Sequence, residues 1–188
     1  MHRNTLDLLV SWAAVVIAVV LLALGGLLLW GNTFVNNQVR DQLAAQKIFF
    51  PAKGSPAISG PQFTAVRHYA GQQLTTGAQA QVYANHFIGV HLSEVAGGKT
   101  YAEVSAASQA DPANVALKGQ ADTLFRGTTL RGLLLNAYAF SKVAQIAGIS
   151  AVVSFVGAGV LIVFAALGFV HARRVRTVAA PSSLGEHM

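Results

Sequence analysis

Two stretches of the chain run without a single charged side chain, and the rest alternates polar and apolar positions at helical spacing. The first stretch, Leu8 to Trp30, reads LLVSWAAVVIAVVLLALGGLLLW and is 23 residues long. At about 1.5 Å per residue it makes roughly 34 Å of helix, enough to cross a hydrocarbon core of about 30 Å. A cleaved signal peptide has an apolar region of only about 7 to 15 residues, followed by a small-residue cleavage site. Here the run is longer and is followed by polar Asn32, Asn36 and Asn37, so an uncleaved span is expected. Trp12 and Trp30 suit the two interfaces. Gly25 and Gly26 would allow another helix to come close. The second stretch, Val143 to Val170, ends at His171, Arg173, Arg174 and Arg176.

Between the two runs the pattern stays helical. Phe34, Val35, Val39 and Leu43 continue a helical stripe past Trp30, so the first helix is expected to continue to about residue 47. Pro51, Pro56 and Pro61, with Gly54 and Gly60, break regular structure next. A helix is predicted over 77–95, stopped by Gly97 and Gly98. Thr100 and Glu103 form the spacing of a capping box for a short helix. Asp111 and Pro112 read as N-cap and first-turn proline of a last helix. That helix leads into the second apolar run, with a kink expected at Gly127, Thr128 and Thr129. Strand alternation is absent over any useful length.

The composition sharpens this picture. Only 11% of residues are charged, against about 25% in soluble domains, and the shortfall is concentrated in the two apolar runs. The net charge is +6; basic residues gathered at the cytoplasmic end of a span account for it without invoking nucleic acid. The arrangement expected is an all-α membrane protein: a two-span helical hairpin whose long helices extend into a small helical extracytoplasmic domain. Residues 1–7 would be a cytoplasmic N-terminus, 8–30 and 143–170 the spans, 31–142 extracytoplasmic, and 171–188 a basic cytoplasmic tail, disordered at its end. Residues 31–142 hold nine Lys/Arg against five Asp/Glu, but long translocated segments are largely exempt from the charge rule. The chain has no cysteine, which removes disulfides, thiolate metal sites and cysteine nucleophiles.

The segments TTGAQAQVYANHFIGVHLSEVAGGKTYAEVSAAS and LFRGTTLRGLLLNAYAFSKV, with the earlier QLAAQKIFFPA, resemble a family of small two-span actinobacterial membrane proteins. Some members carry the label aromatic ring-opening dioxygenase. The resemblance implies a plasma-membrane setting and brings no site residues with it. Ring-opening chemistry of that kind needs a non-haem iron held by histidines and a carboxylate. The residues at hand for it would be His68, His86, His91, Glu94 and Glu103.

Local patterns give only sparse chemistry. His86 and His91 are five apart, so on an α-helix they point about 140° apart. His91 and Glu94 share a face, as a metal-site pair or as an ordinary surface pair. Arg126 and Arg131 flank the expected kink and suit lipid phosphates or an acidic partner, or simple snorkelling. Ser150, Ser154 and Ala158 form a small-residue stripe for helix packing. No phosphate-cradling loop, zinc-protease motif or nucleophile elbow is present, and no cofactor is expected. The function expected is that of a non-catalytic accessory or scaffold subunit in an inner-membrane assembly of the respiratory or transport kind. Its partners would be the lipid bilayer and other membrane subunits. A self-assembling homo-oligomer and an extracytoplasmic ligand- or metal-binding enzyme are the alternatives.

Overall fold

A computed structural model describes residues 3–178, and side chains from 5 to 174. The side chains of Arg3 and Arg176 and the tail beyond Val178 lie outside the described residues, so the ends of the expected basic flanks do too. Among the described residues the chain is all-helical, apart from one isolated bridge between Phe49 and Gln73. The elements are α1 (Arg3–Ala45), α2 (Thr64–Arg67), α3 (Gly77–Val82), α4 (Gly89–Ala96), α5 (Tyr101–Ala110) and α6 (Val115–Val178). Single 3-10 turns occupy Pro56–Ile58 and Pro61–Phe63, and a π-helical segment, Tyr83–Ile88, joins α3 to α4 without a break. α1 and α6 are both long and apolar enough to cross a membrane. Two compact units are formed, residues 1–31 with 146–188 and residues 32–145.

In the first unit, α1 and α6 pack antiparallel. Trp12 meets Phe169 edge-on at 5.6 Å, His171 Nε2 lies 3.9 Å from the Asp7 carboxylate, and Phe155 lies against Gly25. The seam is made of small residues at intervals of seven. On α6 they are Ala151, Ala158, Ala165 and Ala172, each no more than 5% exposed; on α1 they are Ser11, Ala18 and Gly25. A seven-residue repeat keeps one face of two helices together over a long distance by a slight left-handed supercoil, and small side chains let the backbones approach. Ser154 and Ala158 of the expected stripe lie in this seam, while Ser150 is half-buried. Ser11 needs no partner across it: its Oγ donates to the Asp7 carbonyl at 2.7 Å. The opposite faces of both helices carry exposed Val, Leu, Ile and Phe.

The second unit has a conventional core. Val39 and Leu43 of α1, Phe50, Ile58, Phe63, Val66, Leu74, Ala80, Ala84, Ile88 and Leu134 of α6 form one cluster; Ala96, Val104 and Leu124 form a smaller one. The proline-rich segment is held by Arg67, whose Nη1 donates to the Ile58 and Gly60 carbonyls and whose Nη2 donates to Thr64 Oγ1. The end of α1 is closed by Gln73 Nε2, which donates to the Ala44 carbonyl at 2.8 Å. Ala144 continues the alanine series in this unit, and its carbonyl accepts from Asn32 Nδ2 at 2.6 Å.

One expectation needs correction. Asp111 does not start the last helix. It ends α5, its N–H bonding back to Ala107, and Asn114 Oδ1 caps α6 by accepting from the Leu117 N–H. The reason is that Asp111 and Asn114 compete as caps, and a Pro-containing turn fits between them. α6 runs without a break through Gly127. A side chain there would strike Leu92, so this glycine serves close packing of α4 on α6.

Candidate functional site

A group of polar side chains lies in the second unit, around the end of α4, the start of α5 and α6. The helix leading into it is started by a reciprocal cap. Thr76 Oγ1 accepts from the Gln79 N–H, and Gln79 Oε1 accepts from the N–H groups of Thr75 and Thr76. Gln79 is 7% exposed, and its Nε2 donates to Gln72 Oε1, so the buried amide is satisfied at both ends. The π-helical segment follows. Such wide turns are uncommon inside helices and recur at functional sites. Tyr83, at its start, packs against Phe50 and Phe87, and burial pushes its hydroxyl pKa up.

α4 stops at Gly97, which takes a left-handed conformation (φ 57°), and the Gly98 N–H reaches back to the Ser93 carbonyl at 2.8 Å. Two consecutive residues with positive φ, Gly97 and Gly98, are what a glycine pair permits at little cost. Lys99 and Thr100 come next. The Thr100 N–H and hydroxyl both donate to Glu103 Oε2 at 2.7 Å. Those two bonds, more than the nearby Lys99 charge, hold the Glu103 carboxyl below its ordinary pKa. This is the capping box expected from the spacing.

Two clefts open here. The wider, about 680 Å³, is bordered by Gln62, Asn85, Ser93, Glu94 and Arg131. The narrower, about 240 Å³, is bordered by Lys99, Thr100, Tyr101, Leu124, Thr128 and Arg131. Arg131 belongs to both. It is half-buried, and its Nη2 and Nε donate to Asn85 Oδ1 at 3.0 and 3.4 Å. Asn85 lies in the middle of the π-helical segment.

The residues singled out in the sequence are dispersed around this place. His86 is exposed. His91 faces inward, its ring against Phe63 and Phe87, with its Nδ1–H donating to the Phe87 carbonyl at 2.9 Å. Glu94 borders the wider cleft. His68 stacks edge-on against Tyr69, and Glu103 is engaged with Thr100. Among the described residues no three His, Asp or Glu side chains come together as a metal site. Arg126 pairs on the surface with Asp122 at 2.8 Å, one turn away on α6. No family model, curated protein or solved structure matches the chain.

Asn85 and Lys99 were not among the residues that sequence patterns single out. Nothing in the sequence announces a π-helical turn, so the aim of Asn85 was hidden. Lys99 sits in GGKT, where the glycines read only as a helix stop. The alanine seam was not singled out either, although its signal lies in the sequence: Ala137, Ala144, Ala151, Ala158, Ala165 and Ala172 recur at intervals of seven.

Proposed function

We propose that the chain is a two-span plasma-membrane protein that serves as a non-catalytic accessory or scaffold subunit of a larger membrane assembly. The observation that carries the membrane reading is the outside of the helix pair. Only 17% of the most apolar stretch of each long helix is buried, and side chains such as Val10, Val16, Val153 and Phe164 are about 60% exposed. The core helix of a soluble protein would have these groups covered. In water the patch would far exceed the few hundred Å² that soluble monomers tolerate; in hydrocarbon it is the expected surface.

Arg173 and Arg174 after the second apolar run favour a cytoplasmic C-terminus, and with two spans a cytoplasmic N-terminus as well. Residues 31–142 are then extracytoplasmic. The accessory role is favoured by how apolar surface is distributed on α6. Its small-residue face is occupied by α1. Leu133 and Phe140, seven apart and outside the uncharged run, remain 60% exposed. A partner subunit that covers this ridge would bury both.

Purification of the tagged chain at native expression in a mild detergent tests the proposal. A stoichiometric partner is the expected result. A homogeneous particle of one chain, or of identical chains alone, would overturn the accessory role, and the second of these would establish self-assembly.

A further inference from the structure

We propose that the narrower cleft beside Arg131 is a binding site for a small oxyanion, a carboxylate or phosphate group, gripped by the Arg131 guanidinium and attracted by Lys99. The inference is independent of the scaffold role. Arginine offers five N–H donors in a planar fork that matches two oxygens of one anion. Two of these donors are engaged by Asn85. The other three have no partner among the described residues, and no carboxylate there forms an ion pair with Arg131. The donors without a protein partner are open to solvent, and a bidentate oxyanion can take the place of water on them.

The surroundings agree. Lys99 and Arg131 both border the cleft, and no carboxylate is among its bordering residues. Ser93 adds a hydroxyl, while Leu92 and Leu124 supply an apolar wall. The acids nearby are accounted for: Glu103 is held by Thr100 and interacts with Lys99, and Glu94 borders the wider cleft, not the narrower one, and forms no ion pair with Arg131. Asn85 fixes the fork from the π-helical segment, which gives that unusual turn a purpose. At about 240 Å³ the cleft accommodates an anionic group with a small body, whether free in solution or as the headgroup of a lipid.

Isothermal titration of the full chain in uncharged detergent tests this, with inorganic phosphate in one arm and short-chain phosphatidylglycerol in the other. Saturable binding of either probe is expected, weakened at least tenfold by Arg131→Gln and severalfold by Asn85→Ala, with Lys53→Gln, at an exposed position bordering neither cleft, unchanged. Binding of phosphate assigns a soluble ligand; binding of the lipid alone assigns a headgroup. Arg131→Lys keeps the charge and removes the fork, so it tests geometry should the glutamine variant fail to fold; a severalfold loss is expected. No saturable binding of either probe, or full affinity in Arg131→Lys, overturns the proposal.

Discussion

Gln79 shows how much a single side chain can organise. Its amide joins Thr75, Thr76 and Gln72 at the start of α3, within the core of the second unit. Replacing a cap residue costs about 0.5–2 kcal/mol, and buried donors left without partners add to that. Gln79→Ala should therefore lower stability by about 1–2 kcal/mol or more, read as a lower unfolding midpoint in detergent. Glu103 caps in the same way but on the surface, and its effect depends on pH. Because its folded pKa is depressed, its contribution is complete above the ordinary carboxylate value of 4.5 and is lost as pH falls through the lowered folded value. Exchange of the Thr100 amide should accelerate over that acidic range and become pH-insensitive, beyond the intrinsic rate, in Glu103→Gln. Thr100 and Glu103 were legible as a cap because the motif is local. The pairing of Arg131 with Asn85, 46 positions apart, was not, because only the tertiary packing brings them together.

At the scale of elements, periodicity carried the long helices and missed their junctions. An uncharged run specifies a helix whatever surrounds it, so α1 and α6 were readable, as was the stop at Gly97 and Gly98. The choice between Asp111 and Asn114 as cap was not, since both residues suit the role and the outcome rests on how the Pro112 turn fits. Ser154 and Ala158, spaced by four, both lie in the packed seam, and the buried alanines extend it at intervals of seven, because two helices that stay in contact over many turns must wind about each other. The seam makes a sharp prediction. Ala158 is 0% exposed and Val160, on the outward side, is 49% exposed. Ala158→Leu forces extra volume between the backbones and should destabilise the pair by about 1–3 kcal/mol. Val160→Leu should be nearly neutral, and unfolding of the two variants in the same detergent compares them directly. Ser154→Leu should behave like Ala158→Leu.

For the whole molecule, the absence of cysteine offers a clean way to map topology. Single cysteines introduced at Ala102 and at Ser183 can each be labelled without background. A membrane-impermeant maleimide added to intact cells should label Ala102→Cys and spare Ser183→Cys until the membrane is opened. The reverse pattern would invert the orientation, and equal labelling of both would exclude a two-span arrangement. Total charge and its placement made the membrane reading available from the sequence. The cleft beside Arg131 needed two separate segments, 85–101 and 124–131, and no local pattern joins them.

The alanines at intervals of seven also set a rule for how this chain can change in length. Adding or removing one residue within α6, at Gly159 for example, would rotate everything beyond it by about 100°. Ala165 and Ala172 would swing away from α1, and bulkier neighbours would be driven against it. An insertion of seven residues would restore the phase and merely lengthen the pair. Among homologues, gaps inside this helix should therefore come in whole heptads, while single-residue gaps should collect in the turn between Asp111 and Asn114, where no face has to be kept.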